Sequence, residues 1–152
     1  MNKKLLTIIL SIIIIFLIIG IIIFVKLKSD NEIDYKMDKE SIYDLFDNFP
    51  ESNKIYYKYE KIHRGGLGPE IYQLYILAEL TDNSYNELIN KADLKQQDEY
   101  EIKINPRKRK YRWKNINNLD IIESKNPELA SIQSFYIDEE TKTIYVIAIG
   151  GN

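Results

Sequence analysis

The chain has 152 residues, with 21 Lys and Arg against 23 Asp and Glu, no Cys and one His. Lack of Cys excludes disulfides, thiolate metal sites, thiol nucleophiles and a lipid-modified cysteine anchor together. The single His63 offers no imidazole pair for a metal or for a nucleophile relay.

The N-tail, residues 1–4, carries Lys3 and Lys4 and leads into Leu5–Val25, 21 residues without a charge. As a helix this run is about 31 Å long, matching a bilayer hydrocarbon core of about 30 Å. Thr7 and Ser11 can bond back to carbonyls one turn earlier, so neither exposes an unsatisfied hydroxyl to lipid. A soluble core helix is rarely apolar on every face for this length. A cleaved signal peptide has a shorter apolar region, roughly 7 to 15 residues, and a small-residue cleavage site, whereas Lys26-Leu27-Lys28-Ser29-Asp30 follows here. The expectation is an uncleaved signal-anchor, a transmembrane helix over 5–25 that meets the lipid bilayer directly. Lysines on its two flanks nearly tie by the positive-inside count. A tiny basic tail before a long apolar run has the shape of an export signal, which places the C-terminal domain outside the cytoplasm of a bacterial cell membrane.

Residues 26–37 are polar and aperiodic, a linker, and 38–152 read as one domain. From residue 31 onward, 17 cations face 22 anions, a net of −5, and all 12 tyrosines fall there. Six of those cations lie in 107–114, leaving about −11 for the remainder. Charge is segregated.

Asp38 caps an expected helix whose stripe is Ile42, Leu45, Phe46 and Phe49, stopped by Pro50. Alternation over 54–62 and 71–80, joined by Arg64-Gly65-Gly66-Leu67-Gly68-Pro69, predicts an antiparallel hairpin. Ser84 and Glu87 have capping-box spacing before a second stripe, Tyr85, Leu88, Ile89 and Ala92. Residues 99–104 alternate as a strand, ended by Pro106, and an irregular Asn-rich stretch covers 115–118. Asn126-Pro127-Glu128 predicts the cap and first turn of a brief helix. A closing hairpin runs from Ile132–Ile137 through a turn at 138–142 to Thr143–Ile149, its last strand apolar on both faces like a central strand. The sum is an α+β domain with an antiparallel sheet and two to three short helices, the helices covering one face.

Candidate sites are few. The glycine cluster at 65–68 lacks the phosphate-loop spacings and a helix N-terminus, and a turn accounts for it. Acidic groups at Asp98, Glu99 and Glu101, and at Asp138, Glu139 and Glu140, are adjacent in sequence and do not converge from separate elements as an acid pair requires. Tyr56, Tyr57, Tyr59, Tyr72 and Tyr75 crowd the first hairpin, but alternation divides Tyr56 from Tyr57 and Tyr59.

The segment Arg107, Lys108, Arg109, Lys110, Tyr111, Arg112, Trp113, Lys114 is the anomaly. Cations interleaved with two aromatic rings could grip a polyanion, the rings stacking while the cations pair with phosphate. Outside the cell, that means anionic lipid or a wall polymer; nucleic acid would require the cytoplasmic side. The reading is a non-enzymatic extracytoplasmic interaction domain without cofactor or metal, its partner an envelope protein or an anionic polymer rather than nucleic acid. The alternative is a polyanion- or anionic-lipid-contacting module built on 107–114.

Overall fold

A computed structural model describes residues 14–21, 35–62, 70–96 and 100–151. The chain divides into two units, Met1–Asp34 and Tyr35–Asn152. In the first, residues 14–21 form α1, and every large apolar side chain along it is exposed. These residues are the described part of the expected 5–25 helix; among the described residues no helix is long and apolar enough to cross a membrane.

The second unit is an α+β domain. In chain order it contains α2 (Glu40–Leu45), β1 (Phe46–Asp47), β2 (Ser52–Ile62), β3 (Ile71–Leu80), α3 (Asp82–Lys91) and β4 (Leu94–Gln96). There follow β5 (Lys114–Ile116), a 3₁₀ turn (Leu119–Ile121), β6 (Glu123–Ser124), β7 (Ser131–Asp138) and β8 (Thr143–Gly151). Six strands form one antiparallel sheet in the order β2-β3-β8-β7-β5-β4, and β1 pairs with β6 separately. The hairpin expectation holds for β2 and β3, with Ile62 opposite Ile71; His63 and the glycine cluster lie outside the described residues. β8 is central, between β3 and β7, as its two apolar faces require.

Strand alternation builds two cores. Ile55, Tyr57, Leu74, Ile76, Ala78, Phe135, Ile137, Ile144 and Val146 face one side, where Ile42 of α2 and Leu88 of α3 cover them. Tyr56, Tyr75, Leu77, Tyr136, Tyr145 and Ile147 face the other, where Ile104, Tyr111 and Trp113 cover them. Helices thus cover one face as the stripes imply. An irregular strap, residues 100–113, covers the second.

Local details depart from expectation. The first helix ends four residues before Phe49, because Phe46 and Asp47 leave it to pair with Ser124 and Glu123. Phe46 and Phe49 are buried all the same. The second helix is capped by Thr81, whose hydroxyl accepts from the Ser84 N–H at 3.3 Å; Ser84 is not the cap but lies inside. Residues 100–104 are not a strand, and Asn115 and Ile116 of the expected irregular stretch belong to one, β5. Asn126 does cap a single turn, accepting from the Glu128 N–H through its side chain. Tyr35 and Lys36, within the expected linker, lie on the domain: Lys36 exchanges two backbone bonds with Tyr57 at 2.7 and 2.9 Å.

Candidate polyanion-contact segment

The basic segment is the far end of the strap, and its backbone is held at several points. At Asn105 the side-chain amide brackets Arg109: Oδ1 accepts the Arg109 N–H at 2.9 Å, and Nδ2 donates to the Arg109 carbonyl at 2.7 Å. Lys108 sits between them with φ 50°, and its N–H reaches the Asn105 carbonyl at 3.1 Å. Five residues, 105–109, are thereby closed into a tight loop without using a cationic side chain. Further along, the Arg112 N–H donates to the Asp138 carboxylate. Lys114 then enters β5 opposite Ile137.

Side chains alternate along this stretch. Tyr111 and Trp113 point into the second core, stacked on each other with centroids 4.7 Å apart, and Trp113 lies 5.9 Å from the ring of Tyr145. The two rings offered from sequence for stacking on a ligand are thus core residues, Trp113 only 3% exposed. Two large rings beside an apolar sheet face remove more surface from water by packing there than by waiting for a ligand. Burial also raises the Tyr111 hydroxyl pKa, partly countered by the Arg109 charge.

The cations remain at the surface. Arg107 pairs with Glu79 on β3 at 2.9 Å, and Lys114 pairs with Glu139. These two part-exposed ion pairs pin the ends of the segment and contribute little each, about 0–1 kcal/mol. Lys108, Arg109, Lys110 and Arg112 between them are all exposed.

A groove of about 540 Å³ is lined by Arg109, Lys110, Tyr111 and Trp113 together with Tyr100, Glu101, Ile102 and Asn105. Sequence reasoning missed that Tyr100, Glu101, Ile102 and Asn105 share this lining. The alternation of Tyr100, Ile102 and Ile104 gives their shared face but not that the stretch folds back beside 109–113. Of the acidic groups, Asp98 and Glu99 lie outside the described residues, and Glu101 is on the groove. Asp138 is buried, not solvated in its turn, and accepts from the Thr141 N–H and hydroxyl, each at 2.8 Å. Among the described residues no three His, Asp or Glu side chains gather as a metal site.

The tyrosine row divides as alternation demands. Tyr56 and Tyr75 enter the second core and Tyr57 the first, while Tyr59, 46% exposed, borders a shallow groove of about 290 Å³ with Tyr72 and Leu129. No protein-family model matches the chain, and no curated protein or solved structure is matched to it by similarity.

Proposed function

We propose that this protein is held in the cell membrane by one N-terminal helix and presents a non-enzymatic binding domain outside the cytoplasm. The observation that carries the anchor is α1: within an uncharged run of 21 residues, its large side chains are 47–71% exposed, from Ile19 to Phe16. Such a surface is stable only when covered by something apolar, and lipid of matching thickness suits the whole run. Deleting 5–25 should release the domain into the soluble fraction; a deleted form still sedimenting with membranes would defeat the anchor.

The Cys-free chain gives a clean test of sidedness. Asn86 is exposed on α3, so Asn86→Cys should react with a membrane-impermeant maleimide on intact cells. Protection that vanishes on lysis would put the domain in the cytoplasm instead.

A second reading, a polyanion- or anionic-lipid-contacting module, is favoured by the braced loop at 105–109 and the Arg112–Asp138 tie, which hold the backbone of a stretch whose Lys108, Arg109, Lys110 and Arg112 are exposed. Charge reversal at Arg109 and Arg112 should abolish retention on anionic vesicles or on a polyphosphate resin. Unchanged retention at moderate salt would remove this reading.

A further inference from the structure

Among the described residues, three other than glycine hold positive φ: Asn48 at 56°, Lys108 at 50° and Lys142 at 51°. The left-handed region crowds Cβ against the backbone, a cost that Asn tolerates better than Lys. Asn48 is thus the residue type suited to its place. Lys142 is compensated within the domain, its ammonium 2.7 Å from the Asp82 carboxylate and 5.6 Å from the centre of the Tyr85 ring. Lys108 has no such compensation. It is exposed, and its ammonium makes no hydrogen bond or ion pair to a described residue. The backbone explains why the position is left-handed, but not why lysine fills it. Asn105-Pro106-Arg107-Lys108 is a turn closed by the Lys108 N–H on the Asn105 carbonyl at 3.1 Å, and the Asn105 side chain then grips both backbone groups of Arg109. Glycine or asparagine would hold that turn with less strain.

A cation held at a conformational cost, with no partner inside the domain, points to a partner outside it. Arg109 and Arg112 stand beside it in the same condition, exposed and bonded through their backbones alone, whereas Arg107 and Lys114 are neutralised by Glu79 and Glu139. We infer that Lys108, with Arg109 and Arg112, docks the domain on the anionic phospholipid surface of the bilayer that anchors it. A chain anchored through 5–25 is beside that surface at all times: nine residues, 26–34, precede Tyr35 and reach at most about 35 Å. Such confinement lets a few cations suffice, each strengthening docking by roughly fivefold. The inference rests on the two readings above, the anchor and the polyanion contact, and names the surface and the residue that meets it.

Trp113 is the sole tryptophan and is buried, so its emission follows unfolding. The full chain is reconstituted in vesicles of phosphatidylcholine, with or without phosphatidylglycerol, and the urea midpoint is read in each. Anionic lipid that binds the folded domain raises the midpoint by linkage, and added salt removes the rise. Lys108→Asn, neutral and suited to positive φ, should lose much of that rise, in keeping with docking weakened roughly fivefold. In neutral vesicles its midpoint should equal that of the unaltered chain or exceed it. Lys108→Arg should keep the whole rise, because a surface field reads charge and not shape. A rise undiminished in Lys108→Asn, a rise lost in Lys108→Arg, or a midpoint lowered by Lys108→Asn in neutral vesicles overturns the inference. So does soluble polyphosphate that raises the midpoint in neutral vesicles as far as anionic lipid does, since the partner would then be a polymer. Arg109→Glu combined with Arg112→Glu keeps the failures apart. A rise lost there but intact in Lys108→Asn leaves the cation strip standing and removes Lys108; no rise in the unaltered chain with either lipid or polyphosphate removes the polyanion contact as well.

Discussion

Asp138 illustrates how a single residue can be misjudged from its neighbours. Beside Glu139 and Glu140 in a hairpin turn it looks solvated, yet it is 1% exposed and takes bonds from the Arg112 N–H and from Thr141 twice. It ties the strap to the β7–β8 turn. Asp138→Ala should leave those donors unmet in a dry place and cost about 2–3 kcal/mol, read as a lowered urea midpoint. Asp138→Asn, which keeps one acceptor oxygen, should lose less; equal losses would mean that the side chain matters for volume and not for its bonds. Gly150 is constrained in another way. A Cβ there would sit 1.8 Å from the Leu129 carbonyl oxygen, a clash with backbone that no rotamer relieves. Gly150→Ala is expected to destabilise by about 1–3 kcal/mol by the same measurement, and a neutral result would show that the Leu129 turn yields freely.

At the scale of elements, the parts legible in the sequence are those that obey one period over many residues. The β2–β3 and β7–β8 hairpins are such parts, and the centrality of β8 follows from a run buried on both faces. The stripe predicts a longer α2 than the chain forms, because Phe46 and Phe49 fit a helical period equally well when buried from a strand and a turn. Alternation of Tyr100, Ile102 and Ile104 predicts a strand over 99–104, but alternation reports burial on one face whether or not a neighbouring strand supplies hydrogen bonds. Its cationic half was legible as charge; its aromatic half was not legible as core, since burial of Tyr111 and Trp113 depends on Tyr145, more than thirty residues away in the chain. Removing that contact tests the account. Trp113→Ala should cost about 3–5 kcal/mol, whereas Trp113→Phe should recover most of it. Tyr145→Phe keeps the ring but strands the Lys103 N–H that the hydroxyl accepts at 3.1 Å, and should cost about 1–3 kcal/mol. If Trp113→Ala left the urea midpoint unchanged, the strap would not be part of the cooperative fold.

Over the whole molecule, the two faces of the sheet have different chemistries. One is aliphatic beneath helices; the other is a set of rings beneath a strap, with Tyr100 stacked on Tyr136 at 4.9 Å and Tyr145 within 6.4 Å of Tyr75. Burial raises the pKa of Tyr75, Tyr100, Tyr111 and, most strongly, Tyr145, where the Lys103 N–H only partly offsets it. Each of these groups is neutral in the folded chain at a pH where the unfolded chain has begun to lose the proton. Their contribution is therefore complete below the ordinary tyrosine pKa of about 10, and stability falls as pH rises beyond it, since the folded state then holds more protons than the unfolded one. The urea midpoint should be level from neutral pH to about pH 9 and decline above about pH 10. In Tyr145→Phe the starting midpoint should be lower but the alkaline decline shallower, because the most strongly shifted group no longer titrates. A decline of unchanged steepness in that variant would move the alkaline sensitivity away from the ring-lined face and onto the general repulsion of a chain with net charge −2, made more negative as its lysines deprotonate.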